Sequence, residues 1–134
     1  MPAKRMLCNL TLTRVVLGTP LSLSAGVAFA HHSYAVFEMV KSETIDGVVS
    51  EVQYQNPHTW LFVDVRDATG KVETWALEAG GPNILMRQGW KANTVKVGDK
   101  VSALIHPRRE QTTPKSGSLT ALKLPDGKMI GTWE

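Results

Sequence analysis

The sequence lacks most of the features by which a biochemical activity is usually identified. Its 134 residues contain one cysteine, Cys8, so an intramolecular disulfide is excluded. No CxxC, HxH or HExxH spacing occurs, and the chain has no phosphate-binding glycine loop and no serine or cysteine nucleophile motif. Catalysis therefore has little support, and a protein without an activity of its own is favoured.

Acidic residues are missing from the beginning of the chain, where none precedes Glu38. This region is basic, and an apolar stretch of small and aliphatic residues follows over residues 15–29. The stretch contains glycines, a proline and two serines, and it is shorter than the roughly 20 apolar residues that a membrane-spanning helix needs. The basic residues are Lys4, Arg5 and Arg14.

The apolar stretch ends in Ala28-Phe29-Ala30, which places small side chains where a signal peptidase needs them. We predict a signal peptide over residues 1–30, cleaved after Ala30, in preference to a retained membrane anchor. The protein is then periplasmic or secreted, with no stable membrane span after processing. Cleavage makes His31 the first residue of the mature chain.

Cleavage changes the charge balance of the protein. Three of the 15 lysines and arginines leave with the leader and none of the 12 acidic residues does, so 12 of each remain. The sequence pI of 9.2 is therefore no argument for a nucleic-acid partner, and we expect none.

The remaining 104 of the 134 residues suit one domain with one hydrophobic core, which we place at residues 31–134 and expect to be a monomer. Alternation of apolar and polar residues is clearest over 59–66, where Leu61, Val63 and Val65 share one face. Asp67-Ala68-Thr69-Gly70 is typical of a hairpin turn. The predicted strands are 44–55 with a bulge near residues 47–50, 59–66, 71–78, 100–106, about 117–124 and 128–133.

One short helix is predicted between strands three and four. Pro82 is suited to the first helical turn and Gly89 to its left-handed end. Three strands, a helix and then two or three strands predict a mainly β protein with an OB-like barrel of five to six strands. A lipocalin-like barrel needs more chain, and an immunoglobulin-like sandwich fits the helix less well. Residues 108–118 are expected to form an exposed loop.

Histidines are the candidate metal ligands. After cleavage, His31 and His32 supply an α-amine, a backbone nitrogen and two imidazoles, a set that suits Cu(II). His58 lies in the loop between strands one and two and His106 ends strand four, so both belong to the loop end at which OB-folds bind ligands. The alternative is that each histidine only bonds to neighbouring backbone.

Three further residues are candidates for binding a small molecule. Trp60 belongs, with Phe62, Trp75 and Tyr54, to a set of aromatic residues on neighbouring strands that would form a stacking platform if exposed. Core packing is the more ordinary role of such residues. Arg108 and Arg109 are suited to a phosphate or carboxylate, although a solvated pair of arginines is commoner.

Several short motifs resemble an uncharacterised family of small exported bacterial proteins, known only as a domain of unknown function. The resemblance covers nearly the whole mature chain and implies export and one compact domain, but no activity. The motifs are His31-His32-Ser33, Gly47-Val48-Val49, Asn56-Pro57-His58, Gly89-Trp90 and Val97-Gly98-Asp99-Lys100-Val101.

Three hypotheses of function remain from the sequence. The first is an exported binding module for an unknown small molecule, the second is a copper-binding protein that uses the processed amino terminus, and the third is an enzyme that uses that metal for redox chemistry. The first is favoured because no catalytic constellation is visible.

Overall fold

The computed structural model describes residues 34–132, which form a small β-barrel with one short helix. A single turn of 3-10 helix, Tyr34–Val36, precedes the barrel. The other elements are β1 (Glu43–Gln53), β2 (Thr59–Arg66), β3 (Val72–Ala79), α1 (Pro82–Arg87), β4 (Lys100–Pro107), β5 (Lys115–Lys123) and β6 (Met129–Gly131).

The barrel closes through pairings that are distant in sequence. β1 pairs with β2 and with β4, both antiparallel, and β5 pairs antiparallel with β4. A parallel pairing of β3 with β5 closes the ring, and β6 adds to β5 as a sixth strand. This closed arrangement of five strands, with the helix between β3 and β4, confirms the predicted OB-like barrel.

The hairpin of β2 and β3 forms as the alternation predicts. Its turn carries Gly70 at φ +88°, a conformation that favours glycine, and the pairing runs without a bulge from Arg66 opposite Val72 to Thr59 opposite Ala79. Leu61 and Val63 are fully buried, while Val65 is partly buried and packs against the core. The predicted inward face of β2 is therefore confirmed.

The bulge predicted near residues 47–50 is also present. The register of β1 against β2 shifts between Val49 and Glu51. Gly47 lies at the close approach of the two strands, since a Cβ there would come within 2.6 Å of the Asp64 carbonyl oxygen. The bulge turns β1 so that its first half pairs with β4 and its second half only with β2.

The helix α1 begins at Pro82 and turns its one buried residue, Leu85, to the core. Gly89 has a φ of +90°, and the Trp90 N–H then donates to the Leu85 carbonyl at 3.0 Å. Leu85 and Trp90 belong to the same buried cluster as the inward residues of all six strands. The described residues contain no helix that is long and apolar enough to cross a membrane.

The loop before β5 is shorter than the sequence predicts. β5 begins at Lys115, so only residues 108–114 of the exposed loop predicted over 108–118 are a loop. Ser116 and Ser118 are buried because β5 lies between β3 and β4 and has no free edge there. The start of this central strand was not recognised in the sequence, because small polar residues occupy positions that are usually apolar in a buried strand.

Candidate functional site

His58 forms a polar contact with Glu78 at the edge of the loop between β1 and β2. It ends the loop between β1 and β2, directly before Thr59, and its Nδ1 contacts a carboxylate oxygen of Glu78. The register explains this contact, because Glu78 directly precedes the strand partner of Thr59. The Glu78 side chain is only 16% exposed and that of His58 is 35% exposed, so the pair is partly shielded from solvent.

Glu78 belongs to a row of outward-facing residues that crosses four strands of the barrel. Trp60 on β2 is its partner on one side, and Ser118 on β5 is its partner on the other. Ser118 in turn pairs with His106 on β4. Directly opposite residues share a face of the sheet, so the row brings a tryptophan, a carboxylate, a hydroxyl and an imidazole to one side.

Tyr34, the first described residue, lies beside the His58–Glu78 pair. A cleft of about 30 Å³, roughly the space of one water molecule, is lined by Tyr34, His58, Glu78 and Ser118, together with Ala79, Gly80 and Leu119. Tyr34 therefore lies at this end of the row.

His106 has a different partner. Its Nδ1 lies 2.9 Å from the Lys41 carbonyl oxygen, so the ring fastens the segment before β1 to the end of β4. Glu78 and His106 are both neighbours of Ser118, which separates them by two strand spacings, about 10 Å. His58 and His106 thus have separate partners within the described residues.

Within residues 34–132 there is no group of three or more His, Cys, Asp or Glu side chains arranged to hold a metal ion. His31 and His32, the other two metal candidates, lie outside the described residues.

The aromatic residues divide between the two faces of the sheet. Trp75 pairs with Val63 and belongs to the core, so it is not part of a stacking platform with Trp60. Tyr54 packs against the same core, and its hydroxyl donates to the Pro82 carbonyl at 3.3 Å. Trp60 is partly buried beside Glu78, and Phe62 follows it on the same face.

Arg108 and Arg109 lie where β4 leads into the loop before β5. Arg109 donates to the Ala35 carbonyl and to Glu38, each at 3.1 Å, and so holds the segment before β1. Arg108 is partly buried and lines a cleft with Lys41 and Lys115. The pKa of Lys41 is raised above its ordinary value, first by the hydrogen bond from its ammonium to Glu43 and then by the charge of that carboxylate.

Sequence reasoning missed Glu78 and Tyr34. The signal for Glu78 was available, because counting outward from the turn at residues 67–70 pairs Thr59 with Ala79 and brings Glu78 to His58. Tyr34 carried no such signal, since the position of the segment before β1 depends on contacts with β4.

Comparison with known proteins gives a family but no function. A protein-family model, described as a family of unknown function (DUF6152), matches residues 20–117. The matched range includes all four histidines, Trp60, Arg108 and Arg109. No curated protein and no solved structure matches the chain. The match covers most of the sequence, and the chain therefore belongs to this family of unknown function.

Proposed function

We propose that the protein is an exported binding module whose ligand is a Cu(II) ion, held between His58 and the processed amino terminus. The observation that carries the proposal is the His58–Glu78 contact, which lies beside Tyr34. Redox catalysis is not part of the proposal, because the barrel offers no substrate-activating group next to this pair.

The His58–Glu78 pair has the form that metal-binding histidines commonly take. A carboxylate that accepts a hydrogen bond from Nδ1–H fixes the tautomer of the ring and leaves the lone pair on Nε2. It also orients the ring and makes Nε2 a better ligand. Glu78 in this arrangement is a positioning residue and not itself a ligand.

The amino terminus is within reach of this ring. His32 lies two residues and His31 three residues before Tyr34, which lines the same cleft as His58. Three residues of extended chain span at most about 10 Å. Cleavage after Ala30 would therefore create the α-amine close to the His58 imidazole.

Copper is the metal that best suits these donors. An α-amine, a backbone nitrogen and imidazoles are all nitrogen ligands, which Cu(II) binds in tetragonal geometry. Nitrogen sites bind Cu(II) more tightly than Zn(II) in the general order of divalent metals. One ligand from the fold distinguishes this site from a free terminal chelate.

The test is a Cu(II) titration of protein that begins at His31, followed by calorimetry and by electron paramagnetic resonance. We expect Cu(II) to bind more tightly than Zn(II), and we expect binding to weaken on acidification because protons compete with the metal for nitrogen ligands. His58→Ala should weaken binding by at least about tenfold and change the copper spectrum. His106→Ala is the control and should weaken binding less than His58→Ala, because the His106 ring contacts the Lys41 carbonyl and has no carboxylate partner in the described residues.

Two further variants examine the two halves of the site. Glu78→Gln should lower the affinity by about tenfold, with Glu73→Gln on the same strand as control, since Glu73 pairs with Lys115. A methionine placed before His31 should weaken binding strongly because it displaces the α-amine. Equal affinity of the His58→Ala and unchanged proteins would contradict the site, and equal affinity with the added methionine would contradict the role of the processed terminus.

A further inference from the structure

A second cleft lies on the barrel where the segment before β1 crosses the end of β4 and the start of β5. Its volume is about 310 Å³, and it is independent of the His58 site. Four cationic side chains line it, together with Glu38 and Glu43, and the apolar part of its wall is formed by Trp75 and Pro107. The cations are Lys41, Arg108, Arg109 and Lys115.

Three of the four cations already have carboxylate partners. Lys41 lies 2.6 Å from Glu43, Arg109 lies 3.1 Å from Glu38, and Lys115 lies 2.8 Å from Glu73. The Arg108 guanidinium makes no hydrogen bond or ion pair with any residue in the described range. Both backbone polar groups of Arg108 are hydrogen-bonded: its N–H donates to the Ser116 carbonyl, and its carbonyl accepts from the Gln111 side chain.

An unpaired and partly buried guanidinium beside three other cations is unfavourable unless an anion joins it. Burial removes part of its hydration, and neighbouring positive charges repel it. A guanidinium presents parallel N–H donors that match the two oxygens of a carboxylate. The Arg108 side chain therefore supplies donors to the cleft that no described acceptor uses.

We propose that this cleft binds a small organic monocarboxylate, with Arg108 as the group that grips it. The count of charges favours a single negative charge over two: the four cations are offset by Glu38, Glu43 and Glu73, which leaves one positive charge uncompensated. A phosphate dianion would also face the two glutamates of the cleft wall. The carbon part of the ligand would contact Pro107 and the part of Trp75 that lines the cleft.

The experiment is a titration of the purified protein with sodium benzoate, followed by nuclear magnetic resonance of the backbone amides, the Trp75 indole and the Arg108 Nε–H. We expect saturable shifts centred on the cleft, with a dissociation constant in the millimolar range, as for one anchored charge on a small ligand. Arg108→Gln should weaken binding by about tenfold or more. Arg108→Lys should fall between the two, because it retains the charge but loses the parallel donors.

Arg87→Gln is the matched control, because it removes the same charge from α1, which does not line the cleft. Benzyl alcohol has the same ring without the charge and should produce no saturable shift at the Arg108 Nε–H. Inorganic phosphate should bind more weakly than benzoate. The proposal is overturned if benzoate causes no saturable shift up to about 50 mM, a concentration well above a dissociation constant of a few millimolar. It is equally overturned if phosphate or benzyl alcohol binds as well as benzoate. The shifts of the unchanged protein decide this even where a variant does not fold.

Discussion

Residues of the same type have different roles here because their neighbours differ. His58 contacts a carboxylate, which orients its ring, whereas His106 contacts a backbone carbonyl and fastens one segment to another. Arg109 has two partners, while the adjacent Arg108 side chain has none among residues 34–132. A residue's chemistry in this protein is therefore set by its position in the register.

Val63 is one of the fully buried residues of the core. It is fully buried between Val49 and Trp75, its strand partners, and its methyl group lies against the backbone of Gly47. Val63→Asp should lower the free energy of unfolding by more than about 3 kcal/mol, because it buries a charge without a partner. Urea denaturation measures this loss.

Val72→Asp is the control for this prediction. Val72 is 44% exposed at the other end of the hairpin and pairs with Arg66, so the new carboxylate stays solvated and faces a cation. Its cost should be within about 1 kcal/mol. Equal losses for the two variants would place Val63 away from the core.

At the scale of the element, the β2–β3 hairpin is fixed by its turn. One carboxylate oxygen of Asp67 accepts from the Thr69 hydroxyl at 2.6 Å, the Thr69 N–H at 2.8 Å and the Lys71 N–H at 3.0 Å. These bonds favour the ionised form and lower the pKa of Asp67 below its ordinary value, the Thr69 hydroxyl most of all. The turn is thus strongest when Asp67 is charged.

The lowered pKa gives this turn a pH dependence. A carboxyl group whose pKa is lower in the folded state contributes stability that is present above its ordinary pKa, and that stability is lost as the pH falls through the folded value. Asp67→Asn should be less stable than the unchanged protein at neutral pH, and its stability should fall less steeply on acidification from about pH 5 to pH 2.

Urea midpoints measured across that range provide the comparison for Asp67→Asn. The other carboxylates titrate in both proteins, so the difference between the two curves isolates Asp67. Parallel curves would show that the turn does not depend on this charge.

At the scale of the whole molecule, the barrel depends on pairings between distant parts of the chain. The parallel pairing of Trp75 with Lys115 and the antiparallel pairing of Glu43 with Ile105 each join residues 40 or more positions apart. The segment before β1 adds to this closure through backbone bonds from Glu38 to Pro107 and from Arg109 to Val36. Both proposed sites lie along this segment.

Export and processing are predictions about the whole chain. We expect intact-mass analysis of protein from the exporting cell to give His31 as the first residue, because the basic start, the apolar stretch and Ala28-Phe29-Ala30 are typical of a cleavable leader. An Ala30→Leu variant should be processed poorly, since a large side chain obstructs the peptidase at that position. Recovery of only the full-length chain from the membrane fraction would contradict the prediction.

Local patterns in the sequence determined most of the elements. Alternation defined β2 and β3, Pro82 and Gly89 bounded the helix, and the turn at residues 67–70 set the hairpin register. That register brings Glu78 to His58, so this pair of the proposed metal site can be predicted by counting residues from the turn. The reason is that strand period and turn chemistry act over a few residues and are visible in the sequence.

Only the tertiary structure decided how the strands close and what they bury. No local sequence pattern shows that Ser116 and Ser118 lie on a central strand. No local pattern shows that His58 and His106 have different partners, or that the Arg108 side chain has none among the described residues. These features follow from β5 lying between β3 and β4 and from the segment before β1 lying against β4. Such pairings are selected by the burial of the whole core, to which residues far apart in the chain contribute together.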